Sequence, residues 1–323
     1  MSAHPDSGRR ALVTGGAGFL GSHLCDRLLA DGYRVLCIDD FSTGSVNNIA
    51  HLVDEPRFTV MRHDVTAPVA LPGSVSHLYH LASSASPVDY LQRPVETLRA
   101  GSVGTLNLLE LARLKRARFV LASTSEIYGD PCQHPQAEDY HGNVDPIGLR
   151  SPYDEAKRFS EAAAFAYARS HHTDIAVARI FNAYGPRMRS NDGRVVPTFI
   201  RQALGGQALT VAGTGAQTRS FCYVTDIVNG IAALANSDHA GPVNLGSEEE
   251  MTILDLAGII LQETGSASPS QDPAPSVGCE QPRSAGRRSP AIPTSRMGLT
   301  PPVKPSNDRP PADRLACCRP LPR

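Results

Sequence analysis

A short apolar run, RRALVT (9–14), turns into GGAGFLGSH, and Leu20, Leu24, Leu28 and Leu29 then recur at helical spacing. Gly15, Gly18 and Gly21 therefore stand where a strand becomes a helix. Glycines there let the backbone turn tightly and approach a pyrophosphate, whose charge the helix N-terminus favours. This junction constrains the chain more than any other feature. YRVLCIDD follows as a buried strand ending in acids, and Asp39 lies about twenty residues beyond the turn, where a carboxylate meets the adenosine ribose hydroxyls. An acid there favours NAD, because it would repel a 2′-phosphate.

The remaining pattern fits that start. RFTVMRHD, SHLYHLAS, ARFVLASTS and DIAVARIFN read as further strands. One long amphipathic helix is predicted over 95–115, and another after Pro152. Strands alternating with helices predict a parallel sheet covered on both faces. The expected fold is α/β, a Rossmann-type doubly wound sheet with a smaller, incomplete C-terminal substrate lobe. The expected division is an NAD-binding domain over 9–181 with later segments returning to it, and a sugar-nucleotide lobe over 182–265.

Composition changes near Gly265. Half of the chain's 26 prolines fall from Pro269 onward, and no aromatic residue follows Ser266. Such a stretch buries too little apolar surface to offset its ordering entropy, so 266–323 is read as a disordered tail. A formal net charge of −1, with both signs mixed, gives no nucleic-acid footprint. MSAHPDSGRR has no apolar core of signal-peptide length, and no run approaches the roughly 20 apolar residues of a membrane helix. The seven cysteines are scattered and show no metal-ligand spacing. The expectation is a cytoplasmic protein with reduced thiols, no membrane partner and no metal.

SPYDEAKRF (151–159) places Tyr153 and Lys157 one turn apart on the helix after the fifth strand, with Thr124 at that strand's end. Ligands bind at the carboxyl ends of such strands. A lysine beside a tyrosine is expected to lower the phenol pKa. The phenolate then suits removal of a hydroxyl proton while hydride leaves the same carbon.

TGGAGFLGSH, the Tyr-x3-Lys pair, STSEIYGD, ARIFNAYGPRM and QTRSFCYVTDI resemble the extended short-chain dehydrogenase/reductase superfamily of NAD-dependent epimerases and dehydratases. RHDVTAP, LYHLASSASPVDY, HPQAEDYHGNVDPIG, NDGRVV and PVNLGSEEEMTILDLA are most similar to its UDP-glucuronate decarboxylase (UDP-xylose synthase) subfamily, over about Arg10 to Leu261. The resemblance implies a homodimer with tightly held NAD. It implies oxidation of the sugar C4 hydroxyl, loss of CO2 from the 4-keto intermediate and internal return of the hydride, so that UDP-glucuronate becomes UDP-xylose. Thr124, Glu126, Tyr153 and Lys157 would be catalytic, with Glu126 serving decarboxylation and reprotonation. The cofactor would meet Gly15, Gly18, Phe19, Leu20, Gly21, Asp39, Asp40, Thr43, Gly44, Asp64, Val65, Leu81, Ser83, Tyr153 and Lys157. Ser125, Asn182, Arg187 and Arg219 would bind the UDP-sugar, and His80 would be structural.

Several residues depart from the subfamily pattern. Glu96 stands for a lysine, Gly101 for an asparagine, Ala183 for a threonine, Ala212 for a tyrosine and Ser84 for a proline. Gly101 is expected to weaken its helix by about 1 kcal/mol relative to alanine. The subfamily's Arg-rich PDI segment and LGW-type motif are echoed only faintly by RRSPAI (287–292). Two other readings stay open: a 4-epimerase or 4,6-dehydratase, and a catalytically weak NAD-binding protein. A frame shift near codon 266 is the hypothesis that the composition change motivates. Resequencing the gene tests it, since an intact frame with no alternative-frame match to the subfamily ending removes it.

Overall fold

The computed structural model describes residues 8–274. These all lie within one compact unit, Met1–Ile292. The chain runs β1 (Arg10–Thr14), α1 (Phe19–Ala30), β2 (Arg34–Asp39), β3 (Phe58–Arg62), β4 (His77–His80), α2 (Pro87–Gln92), α3 (Pro94–Arg99), α4 (Thr105–Lys115), β5 (Arg118–Thr124), α5 (Ser151–His171) and β6 (Ile175–Ile180). It continues through β7 (Ala183–Tyr184), α6 (Val195–Leu204), β8 (Leu209–Ala212), β9 (Thr218–Ser220), β10 (Cys222–Tyr223), α7 (Val224–Ala235), β11 (Pro242–Leu245), β12 (Glu250–Thr252), α8 (Ile253–Thr264) and β13 (Ser270–Ala274).

Seven parallel strands form one sheet in the order β11-β6-β5-β4-β1-β2-β3. All six strands read from the sequence are present. β11 joins late in the chain and covers the β6 edge. α1 and α7 pack one face through Leu24, Leu28, Ile227 and Ile231. α4 and α5 pack the other through Leu108, Leu109, Ala163 and Ala164. Strand order reverses between β1 and β4, which opens a crevice at their carboxyl ends. α6, α8 and β8 pack around Phe199, Leu209, Val211 and Leu256 as a third core beyond that crevice.

Two expectations require correction. The first concerns the end of the ordered chain. Ser270–Ala274 pair in parallel with β8, and Leu209 N donates to Pro269 O at 3.0 Å. Regular structure thus passes 265, because the β8 backbone takes a strand partner that composition does not reveal. Residues 275–323, including RRSPAI, lie outside the described residues.

The second concerns the long helix at 95–115, which is interrupted by a π-helical turn at Ala100–Gly104. The turn is squeezed between neighbours. A Cβ on Gly101 would lie 2.6 Å from Ala156 Cβ, and one on Gly104 would lie 2.8 Å from Val65 Cγ2. Gly101 is therefore a close-packing position against α5, beside Lys157, and not merely a weak helix former. Substituting Gly101→Ala should destabilise the protein by about 1–3 kcal/mol through overpacking. Adding Ala156→Gly should recover part of that loss, since the two sites touch. Thermal melts of the single and double variants check this, and a higher melting temperature for Gly101→Ala alone would refute the contact.

Candidate active site

The crevice is a cavity of about 1490 Å³ that runs from the glycine turn across β4 and β5 to the lobe beyond β7. All of the residues expected to be catalytic, cofactor-binding or substrate-binding line it.

Gly15 makes the turn at φ +70°, and a Cβ there would lie 2.8 Å from Leu81 C and Ala82 N. A Cβ on Gly21 would lie 2.1 Å from Gly15 O, so only glycine lets α1 sit on the turn. α1 has no side-chain cap, which leaves first-turn N–H groups for an anion. Asp39 Oδ2 accepts from Ala17 N at 2.9 Å and Oδ1 from Phe41 N at 2.8 Å. Each oxygen keeps a lone pair for a ribose hydroxyl. Ser83 Oγ is buried with no hydrogen-bond partner among the described residues. The uncapped helix, the acid behind the turn and the orphaned hydroxyl fit a dinucleotide.

Tyr153 is buried at the start of α5 and stacks on Tyr90, with ring centres 5.2 Å apart and planes within 10°. Burial pushes its phenol up, while the Arg194 charge, a hydrogen bond with Thr124 and the Arg150 charge pull it down. The expectation that Lys157 lowers the phenol does not describe this geometry. Lys157 Nζ donates to Ala122 O at 2.8 Å and lies 6.0 Å from the Tyr153 ring centre. Burial lowers Lys157 to about 8, against the opposing charge of Glu161.

Glu161 belongs to a buried chain. It accepts from Ser123 Oγ at 2.5 Å and from Arg179 Nη2 at 2.8 Å. Arg179 Nη1 donates to Tyr128 OH at 2.9 Å, and Tyr128 OH donates to Asn244 Oδ1 at 2.8 Å. On the opposite side, His80 bridges Thr14 Oγ1 (2.9 Å) and Thr105 Oγ1 (3.1 Å), and Thr105 meets Ser160 Oγ at 3.0 Å. Ser160 Oγ also donates to Gly101 O at 2.7 Å. His80 thus links β1, β4, α4 and α5 from behind the cavity.

Glu126 pairs with Arg150, whose guanidinium lies over the Tyr90 ring at 5.9 Å. Thr124 Oγ1 accepts from Glu126 N at 3.2 Å. The substrate-side residues already have protein partners. Asn182 Nδ2 donates to Ser220 O at 3.1 Å, and Arg219 Nη1 donates to Thr218 O at 2.7 Å. Arg187 Nη1 is 2.8 Å from Asp26 on α1. Glu96, Ala183, Ala212 and Ser84 also border the cavity. Sequence reasoning missed Tyr90, Arg150 and Asp154. Only Arg150 and Asp154 carried a signal, as charges within three residues of Tyr153.

The sequence profile of the NAD dependent epimerase/dehydratase family matches residues 11–246, and the chain belongs to that family. It is 52% identical over 260 residues to UDP-glucuronic acid decarboxylase 1 of Danio rerio, covering 80% of this chain and 62% of that protein. It is 52% identical over 252 residues to UDP-glucuronic acid decarboxylase 6 of Arabidopsis thaliana, covering 78% of this chain and 73% of that protein. The chain therefore spans about three fifths of the length of the zebrafish protein. Among solved structures, a UDP-glucose 4-epimerase from Thermotoga maritima with UDP-glucose superposes with TM-score 0.76 at 26% identity, over 87% of this chain and 90% of that one. A dTDP-glucose 4,6-dehydratase from Streptomyces venezuelae with NAD bound gives 0.76 at 28% identity, over 86% and 88%.

Among the described residues no helix is long and apolar enough to cross a membrane. Burial holds His80 down at about 3, below its ordinary value of 6.5. The folded state therefore prefers the neutral ring. That contribution is full above about 6.5 and is lost as pH falls toward 3. Replacing His80→Asn should make the acid-side fall in melting temperature shallower than in wild type, and coincident slopes would refute this.

Proposed function

We propose that the chain is an NAD-dependent UDP-glucuronate decarboxylase that forms UDP-xylose and CO2. The observation that carries the reading is the convergence of Thr124, Glu126, Tyr153 and Lys157 on one cavity behind an uncapped glycine turn. The 52% identity to proteins named UDP-glucuronic acid decarboxylase supports the choice of substrate.

The turn at Gly15, Gly18 and Gly21, the first-turn amides of Phe19 and Leu20, and Asp39 would hold NAD. Asp40, Thr43, Gly44, Asp64, Val65, Leu81 and Ser83 line the adjoining wall. Bound there, NAD would supply the hydride acceptor and donor for the sugar C4. Tyr153 removes the C4 hydroxyl proton and gives it back to the same oxygen. Thr124 would hold that oxygen, and Lys157, anchored on the Ala122 carbonyl, would hold the nicotinamide ribose. The C4 ketone lies β to the C6 carboxylate, so CO2 leaves to give an enolate instead of a bare carbanion. Glu126, oriented by Arg150, serves at C5 and C6. Asn182, Arg187 and Arg219 receive the diphosphate, and Ser125 the sugar.

A homodimer through α3, α4 and α5 belongs to this reading, supported by the exposed apolar side chains Val95, Leu98, Leu106 and Phe159. Cytoplasmic residence belongs to it too, supported by free thiols at Cys25, Cys37, Cys132 and Cys222. Purified protein incubated with UDP-glucuronate and NAD should release CO2 and form UDP-xylose. Conversion of a neutral UDP- or dTDP-hexose without CO2 would overturn the reading in favour of an epimerase or dehydratase. Retained NAD without conversion of any sugar nucleotide would leave only a binding protein.

A further inference from the structure

The proposed decarboxylation consumes a proton. A carboxylate leaves as neutral CO2, and the carbon it leaves must gain H⁺. The proton that Tyr153 removes from the sugar hydroxyl is needed again on that oxygen when the ketone is reduced. A second proton source must therefore face the cavity. Glu126 is poorly suited, because its salt bridge to Arg150 favours a carboxylate that accepts and does not donate.

Burial raises three acids of the cavity wall: Asp39, Asp154 and Asp192. Asp39 takes two backbone N–H groups. Asp192 Oδ1 lies 3.3 Å from Arg194 Nε. Asp154 differs from both. It sits in the first turn of α5, next to Tyr153, and is 6% exposed. Its Oδ1 is buried with no hydrogen-bond partner among the described residues. A buried carboxylate without a donor is costly when charged and tolerable as a carboxyl. Burial holds Asp154 up at about 6, opposed by Arg150 and Arg158 and assisted by Glu155.

Resting on the decarboxylase reading, we propose that Asp154 supplies the proton that sugar C5 takes up after CO2 has left. The C5–C6 bond breaks, and its electron pair becomes the C4–C5 double bond of an enolate as CO2 departs. The enolate re-forms its ketone while C5 takes the proton from the Asp154 carboxyl. One C–H bond forms, one O–H bond breaks, and Asp154 is left as a carboxylate facing the Arg150 charge. A solvent proton restores it. No electrons pass to or from the protein.

The test is a single-turnover experiment with NAD-loaded protein and UDP-glucuronate, following CO2 and reduced nicotinamide absorbance together. In wild type the absorbance rises and decays. In Asp154→Asn it should rise, with CO2 released, and then persist, because hydride cannot return until C5 is protonated. Steady-state turnover should fall about 100-fold, the scale of a lost general acid. Asp154→Glu keeps the acid and should turn over at least about tenfold faster than the Asn variant. Turnover of Asp154→Asn within about threefold of wild type would overturn the assignment, on that same scale. So would loss of the initial absorbance rise at an unchanged melting temperature.

Should Asp154→Asn fail to fold, the wild-type decay decides. Its rate should fall as pH rises through the Asp154 midpoint, and a flat rate between about pH 5 and 8 overturns the proposal. A wild type that releases no CO2 removes the decarboxylase reading and this inference together. A wild type that releases CO2, with an unaffected Asn variant, removes this inference alone.

Discussion

The site depends on how α5 is seated on the end of β5. Lys157 reaches the Ala122 carbonyl, Glu161 takes the Ser123 hydroxyl, and Ser160 reaches the Gly101 carbonyl. These contacts fix the helix in height, tilt and rotation, and Tyr153 is then held between Thr124 and the Tyr90 ring. A lysine this deeply buried would lose its charge without a partner. Glu161 answers that charge one turn away. Arg179 and Ser123 in turn stabilise Glu161, so the cost of one buried charge is spread over β5, α5 and β6.

Four arginines that line the cavity are paired with acids. Arg150 holds Glu126, Arg189 holds Asp89, Arg194 holds Asp192 and Arg187 holds Asp26. An arginine already paired offers an incoming anion less than a free one. It keeps further donors, however, and its position is fixed in advance. A ligand with two phosphates and a carboxylate can engage several such arginines at once, whereas a small monoanion gains little from any of them. The pairing therefore favours large polyanionic ligands through preorganisation instead of through net positive charge.

The sheet was legible because its signals are local. Each strand is a contiguous apolar run, and the glycine turn announces itself by spacing. The π-helical turn at Ala100–Gly104 was not legible, because it depends on what Gly101 and Gly104 meet, Ala156 and Val65, which lie far away in sequence. The pairing of Ser270–Ala274 with β8 was hidden for a similar reason: a strand partner can draw in a proline-rich segment that composition marks as loose. Within the site, Tyr153 and Lys157 could be read from helical spacing, but the sign of their electrostatics could not. Spacing suggested that the lysine charge governs the phenol. Burial governs it instead, and burial is a property of the folded cavity.

A Tyr–Lys pair beside a dinucleotide turn suits any reaction that begins by oxidising a sugar hydroxyl. The second half of such a reaction is decided by which protons are held near the oxidised carbon. A neighbouring carboxylate locked to an arginine can orient or accept, but it has no proton to give. A neighbouring carboxyl with a buried oxygen that meets no donor among the described residues holds its proton to higher pH than an exposed acid. Glu126 and Asp154 lie on the same cavity wall within reach of the same Arg150, yet one is paired and the other is not. That asymmetry sets an acceptor and a donor beside one another, the division of labour that loss of CO2 followed by protonation would require.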